Sequence, residues 1–201
     1  MTNYIDILTQ SFRHDFVREV CVLYTQEHGF FSFKTDNQWG KVKFDFEKVW
    51  ELLILSQFQS ITMIHTHPPG VTGMSSIDRK LVQAWSMALG KDIHFYIFPE
   101  NLDYLVYNKI ERINKKTIVN DSITINLVVN KPLRLLQESM LYFSQGTPKS
   151  DKEFKDVLNS LNHSKMLKNS IKWVNFSDDD EQVVVDKEEK EESLGTHINI
   201  S

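Results

Sequence analysis

The sequence predicts a mixed α/β fold in which a central mixed β-sheet is flanked by helices. Short apolar runs of strand-like composition recur through the first 130 residues, and segments with apolar residues three or four positions apart separate them. Strands that alternate with helices along a chain are typical of α/β proteins. The chain has 201 residues, 41% of them hydrophobic and 25% charged, so it can bury a core without disulfides.

The first part of the chain is predicted to contain two helices and four strands. The helices cover residues 4–16 and 46–54, because apolar side chains recur there at helical spacing. Asp45 precedes the second helix as a cap, and the Asp36-Asn37 pair suggests a turn. The four strands are predicted over residues 19–24, 30–33, 41–44 and 60–65.

A loop and an amphipathic helix are predicted next. Residues 68–73 contain two prolines and two glycines, which favour a loop. Residues 76–89 carry apolar side chains on one face, including Trp85, and Gly90 follows as a helix stop. Further strands are predicted over 93–98, 104–107 and 123–129, and further helices over 133–143 and 154–166.

Charge is distributed unevenly along the chain. Residues 178–192 contain nine acidic residues and two lysines, a net charge of −7, so the remainder carries +3 of the total of −4. This run predicts an acidic, disordered tail. The remainder is not strongly basic, and nucleic-acid binding therefore has no electrostatic support.

The cysteine content and the terminus favour a cytoplasmic protein. Cys21 is the single cysteine, so one chain cannot build a disulfide framework or a cysteine-based zinc site. The first residues do not resemble a signal peptide. No apolar stretch approaches the ~20 residues that a transmembrane helix requires, so no membrane contact is expected.

One segment carries ligand types that suit a catalytic metal. His65 and His67 lie two apart at a strand end, so both imidazoles project from one face. Asp78 follows the loop, in the first turn of the next helix. Two histidines and a carboxylate are a common set for catalytic zinc. Separately, each part has a plainer explanation: Ser75 and Asp78 also fit a helix-capping box, and alternating histidines also occur on strand surfaces.

The same segment resembles the JAMM motif of MPN-domain metalloproteases, which is a glutamate followed by H-[S/T]-H-P-x6-S-x2-D. Glu19 lies 46 residues before the first histidine in an early strand, at the spacing of the family glutamate. Val22 replaces the usual glycine of that strand. Glu27 is a competing candidate, although its spacing is short and its surroundings suggest a turn. The motif positions are matched by His65, His67, Pro68, Ser75 and Asp78.

The resemblance implies a cytidine-deaminase-like MPN fold over residues 1–130, followed by a C-terminal helical extension over 131–175 and an acidic tail over 176–201. It also implies one Zn²⁺ per chain, a catalytic base and an oxyanion donor. The implied metal ligands are His65, His67 and Asp78, the base is Glu19, and the oxyanion donor is Ser75. Thr66 faces away from the histidines and is interpreted as structural.

The activity implied by the resemblance is zinc-dependent hydrolysis of an isopeptide or peptide bond. The substrate would be a ubiquitin-like protein or its conjugate. Two alternatives stay open: a catalytically silent MPN scaffold that binds a protein partner, and a RadC-like protein associated with nucleic acid. The helices after residue 131 are candidates for a homodimer contact or for binding a partner.

Overall fold

A computed structural model of the chain describes residues 19–32, 46–55, 57, 60–67, 70–99, 103–144 and 151–176. These ranges form a mixed α/β structure, which confirms the predicted class. They contain seven strands: β1 (Cys21–Thr25), β2 (Gly29–Ser32), β3 (Ser60–His67), β4 (Asp92–Pro99), β5 (Tyr104–Ile113), β6 (Lys116–Val119) and β7 (Ile123–Asn126). They contain five helices: α1 (Phe46–Leu55), α2 (Ser76–Leu89), α3 (Lys131–Ser144), α4 (Asp151–Asn162) and α5 (Lys165–Phe176).

The described strands form one mixed sheet in the order β2-β1-β3-β4-β5-β6, and β7 pairs with β5 beside β6. Only the β3–β4 pair is parallel among these strands; the other pairs are antiparallel. Parallel neighbours need a crossover connection, and α2 supplies it. The loop that leaves β3 and enters α2 therefore lies at the carboxyl end of β3, where α/β sheets commonly bind ligands.

Side chains alternate between two buried faces of the sheet. On β3, Ile61 and Met63 contact one core cluster, whereas Ile64 contacts the other. The first cluster includes side chains of α1 and α2, and the second includes side chains of α3, α4 and α5. Because helices cover both faces, the central strands read as nearly continuous apolar runs.

The C-terminal helices are also hydrogen-bonded to the sheet. At the end of α4, Asn162 accepts a hydrogen bond from the Phe30 N–H at 2.6 Å and donates to the Phe30 carbonyl at 3.3 Å. On α5, Asn175 accepts from the Tyr96 hydroxyl at 2.8 Å and donates to Thr62 Oγ1 at 2.9 Å. Residues 131–176 thus share both a core and buried polar contacts with the sheet.

The described structure differs from the sequence-based expectation in two elements and in two strand bounds. The strand expected over 104–107 extends to Ile113 as β5, and the strand expected over 123–129 ends at Asn126 as β7. The helix expected over 154–166 is two helices, because the chain breaks at Ser164, whose side chain accepts the Leu167 N–H at 3.2 Å and starts α5. The strand β6 was not expected. It follows a two-residue turn in which Asn114 and Lys115 both have positive φ.

Several expectations lie outside the described residues: the helix over 4–16, the strand over 41–44, the Asp36-Asn37 turn, the Asp45 cap and the tail beyond residue 176. The helix expected over 76–89 has the expected bounds, and Gly90 ends it with φ of 69°. Of the helices that the structure describes, none has the length and apolar character needed to cross a membrane.

Candidate metal centre

The carboxyl end of β3 holds two buried histidines. His65 and His67 project from the same sheet face because they are two residues apart. Their ring centroids are 4.5 Å apart, and the residues are 6% and 2% exposed. Phe95 on the neighbouring strand packs against His65 at a centroid distance of 5.5 Å. Two imidazole rings are therefore held close together with little exposure to solvent.

The first turn of α2 holds Asp78 through a capping box. Ser75 is the N-cap residue, and its Oγ accepts the Asp78 N–H at 3.1 Å. In return, Asp78 Oδ2 accepts the Ser75 N–H at 3.0 Å and the Ser75 hydroxyl at 2.6 Å. Both ends of the box are thus satisfied, as in an S-x-x-E box with aspartate in place of glutamate. The plainer explanation of this pair is therefore correct, and the cap also fixes the carboxylate.

The capped carboxylate of Asp78 faces both histidines. Its Oδ1 lies 3.8 Å from His65 Nε2, and its Oδ2 lies 3.2 Å from His67 Nε2. The side chain is nearly buried. The structure therefore brings together the three residues that the motif implied as metal ligands, from a strand end and a helix start.

Glu19 approaches the same histidines from the segment just before β1. Cys21 lies opposite His65 in the antiparallel β1–β3 register, and two further steps place Glu19 opposite His67. Donor atoms of Glu19, His65 and His67 lie within 4.8 Å of one another, a spacing that could hold a metal ion. Asp78 and Glu19 thus flank the same pair of imidazoles, but the described group whose donor atoms all lie within this distance contains Glu19 and does not contain the predicted ligand Asp78.

Glu27 lies elsewhere. It is exposed in the turn between β1 and β2, where its carboxylate accepts the Gln57 N–H at 3.3 Å and approaches His28 at 3.9 Å. The described residues that could hold a metal do not include it. Of the two candidate glutamates, Glu19 is the one beside the histidines.

Burial sets the protonation of the cluster. It lowers the pKa of His65 to about 3, with His67 adding to this effect and Asp78 opposing it. Burial alone would raise the pKa of Asp78, but the hydrogen bond with His67, the charge of His65 and the hydrogen bond from Ser75 hold it below its usual range. At neutral pH the cluster therefore offers a neutral imidazole and an ionised carboxylate, the forms that bind metals.

Glu19 has a different protonation behaviour. Burial raises its pKa from 4.5 to about 7, and of the smaller influences His67 lowers the pKa while the negative charge of Asp78 raises it. A carboxyl group with this pKa can both take up and release a proton near neutral pH. Two carboxyl groups that face the same histidines thus have opposite shifts, a pattern that often separates an acid–base group from a permanently ionised one.

Two buried nitrogens of the site lack hydrogen-bond partners among the described residues. They are Nε2 of His65 and Nδ1 of His67. Buried polar atoms in proteins are nearly always paired, so an unpaired one calls for a ligand, ion or water. Imidazole and carboxylate donors suit divalent transition ions, zinc among them. The residues present therefore fit a bound metal.

Cys21 is no candidate nucleophile in this arrangement. The residue is fully buried, and burial together with the charges of Asp78 and Glu19 raises the pKa of its thiol. A reactive cysteine needs the opposite surroundings, with a lowered pKa and access to substrate.

Comparisons with known proteins identify no relative of this chain. No family model matches the chain, and no curated protein or solved structure matches it either. The described residues form a mixed α/β structure with a buried cluster of histidine and carboxylate side chains at the carboxyl end of β3, and this cluster could hold a metal ion.

Proposed function

We propose that the chain is a zinc-dependent hydrolase with the MPN fold. His65, His67 and Asp78 would hold the metal, and Glu19 would act as the general base. The observation that carries the proposal is the convergence of these four side chains, with a buried His65 nitrogen that has no hydrogen-bond partner among the described residues. The JAMM-like spacing of the same residues supports it independently.

Each of the four groups has a chemical task in this proposal. Zinc, when bound, would lower the pKa of a water molecule toward ~7 and polarise the substrate carbonyl. Glu19 would take the proton of the attacking water and deliver it to the leaving amine, which its pKa of about 7 favours. Ionised Asp78 and the neutral imidazole of His65 would keep these donors ready for the metal at neutral pH.

Ser75 has two roles to reconcile. In the structure its hydroxyl donates to Asp78 Oδ2 at 2.6 Å and accepts the Asp78 N–H, so it caps α2 and orients a proposed ligand. The resemblance implies that it also donates to the oxyanion of the reaction. That second role would require the hydroxyl hydrogen to turn from Asp78 toward the substrate, and it belongs to the proposal.

The proposed substrate class follows from the resemblance. It is an isopeptide or peptide bond at the C-terminus of a ubiquitin-like protein, cleaved by a cytoplasmic enzyme. Suitable probes are ubiquitin with a fluorogenic amide at its C-terminus and an isopeptide-linked ubiquitin dimer. Hydrolysis by the wild type and loss of hydrolysis in Glu19→Gln would support this class.

The deciding experiment is the metal content of the purified wild type, His67→Ala and Glu19→Gln. We expect about one zinc per chain in the wild type, little in His67→Ala because a ligand is lost, and wild-type content in Glu19→Gln. Loss of zinc in Glu19→Gln would instead make Glu19 a ligand. Absence of zinc from all three proteins, even after zinc supplementation, would overturn the enzyme proposal and favour a silent scaffold.

A further inference from the structure

Thr66 stands between the two histidines but on the opposite face of β3. It is fully buried, and its neighbour on that face, Ile64, belongs to the core cluster beneath the C-terminal helices. A side chain in this position cannot reach the substrate side of the sheet. Any contribution to the site must therefore pass through the backbone.

The Thr66 side chain replaces one bond of the β1–β3 ladder. In an antiparallel ladder, two opposed residues of a hydrogen-bonded pair exchange both N–H to carbonyl bonds. Here the Thr66 N–H donates to the Val20 carbonyl at 3.0 Å, but the Val20 N–H donates to Thr66 Oγ1 at 2.9 Å. One threonine thus binds both backbone groups of Val20, just before β1 begins at Cys21.

We propose that Thr66 is a positioning residue that holds Glu19 beside the two histidines. The Val20 N–H belongs to the peptide unit that joins Val20 to Glu19. The Thr66 hydroxyl therefore fixes the backbone from which the Glu19 side chain departs, at the point where the regular ladder stops. This inference depends on the proposed function, because it assigns Glu19 a task at the metal.

The rate of the proposed reaction should be sensitive to the position of Glu19. A displacement of about 1 Å from a productive geometry can cost on the order of 100-fold in rate. Val20 keeps one bond to Thr66 when the hydroxyl is removed, since the Thr66 N–H still reaches its carbonyl. The strands should stay paired, and the change should be confined to the Glu19 end of β1.

Three single variants separate positioning from general stability. Thr66→Val removes the hydroxyl, and Thr66→Ser keeps it. Thr62→Val is the matched control, because Thr62 is a buried threonine on the same face of β3 whose hydroxyl accepts a bond from Asn175 at 2.9 Å, away from Glu19. Both valine variants lose one buried hydroxyl, but only Thr66→Val loses the bond to the Glu19–Val20 peptide.

The test uses two readouts that need no substrate. The first is amide hydrogen exchange of Val20 in the full chain, which should become at least about 5-fold faster in Thr66→Val and stay slow in Thr66→Ser and Thr62→Val. The second is the visible absorption spectrum of Co²⁺ bound in place of zinc, which reports the ligand field. As the proposed base, Glu19 would accept a hydrogen bond from the water that the metal activates, so Glu19→Gln should shift this spectrum although Glu19 is not a ligand. Thr66→Val should shift it in the same direction.

The double variant Thr66→Val/Glu19→Gln decides whether Thr66 acts through Glu19. Its cobalt spectrum should equal that of Glu19→Gln alone. If Glu19→Gln shifts the cobalt spectrum but Thr66→Val leaves it equal to that of the wild type, the inference about Thr66 is overturned and the proposed function stands. Failure of the wild type to bind cobalt would overturn the proposed metal site, and a Glu19→Gln spectrum equal to that of the wild type would overturn the proposed role of Glu19. Either result would overturn this inference as well.

Discussion

His65 and Asp78 show how burial and partners act on single side chains. Both side chains lose contact with solvent, and both pKa values fall, but for different reasons. Burial favours the neutral imidazole of His65. The ionised carboxylate of Asp78 is favoured by His67, His65 and Ser75, whose combined effect exceeds that of burial. Glu19, with fewer partners, shifts the other way. The cluster therefore holds one permanently charged group and one that titrates near neutral pH.

The raised pKa of Glu19 predicts a pH-dependent difference between the metal-free wild type and metal-free Glu19→Gln. Folded Glu19 binds its proton more tightly than unfolded Glu19, so its contribution to stability is complete below about pH 4.5 and is lost as the pH rises through about 7. As the pH rises from about 4.5 to about 7, the unfolding free energy of the wild type should fall by on the order of 2 kcal/mol relative to that of the variant. This figure is reduced from the full pKa shift because Glu19 is partly exposed.

Urea unfolding at several pH values measures this difference. His65, whose pKa is lowered, contributes stability that is complete above pH 6.5 and is lost on acidification toward pH 3, but it is present in both proteins. The comparison therefore isolates Glu19. If the unfolding free energies of the two proteins change equally with pH, the Glu19 carboxyl group is not protonated more readily in the folded chain than in the unfolded chain.

At the scale of elements, local signals decided which boundaries could be predicted. The start and end of α2 could be predicted from the sequence, because Ser75 and Asp78 form a capping box and Gly90 adopts the positive φ that favours glycine. The β5–β6 hairpin was not, because its turn uses Asn114 and Lys115 at positive φ. Lysine carries no signal for that conformation, in contrast to the glycine common at such turns.

Asn162 predicts a measurable link between α4 and the β1–β2 hairpin. Asn162→Ala removes two hydrogen bonds and leaves Phe30 backbone groups without these partners, so it should cost about 1–3 kcal/mol of unfolding free energy. Chemical denaturation would measure this. Gly29→Ala should also destabilise, because φ is 69° and an added β-carbon would overlap Asn162 Oδ1.

The matched control is Asn159→Ala, on an exposed position of the same helix. It should change the unfolding free energy by less than about 0.5 kcal/mol. Equal changes of unfolding free energy in the two alanine variants would show that the hydrogen bonds of Asn162 to Phe30 do not stabilise the fold.

At the scale of the whole molecule, the site lies where a strand start, a strand end and a helix start meet. The histidines share the sheet face with α1 and α2, whereas α3, α4 and α5 cover the other face. The proximity of His65, His67 and Asp78 could be predicted because they lie within 14 positions of one another. Contacts such as Asn162 with Phe30, 132 residues apart, leave no local pattern and could not be predicted.

Zinc should stabilise the folded protein, because a ligand that binds only the folded state increases the free energy of unfolding by mass action. At a free zinc concentration about 1,000 times the dissociation constant, the gain is about 4 kcal/mol. Thermal unfolding of the wild type with zinc and with a chelator measures it, and His67→Ala should show little gain. An equal gain in His67→Ala would mean that zinc binds elsewhere.

The separate origins of Glu19 and the other three residues have an evolutionary consequence. In the proposed enzyme the three metal ligands occur on one β3–α2 segment, so one short stretch of the gene encodes them together, whereas the proposed base, Glu19, comes from the residues just before β1. One codon change at position 19 would therefore turn such an enzyme into an inert metal protein of the same shape. A descendant could then keep its fold and its zinc and be selected for binding alone.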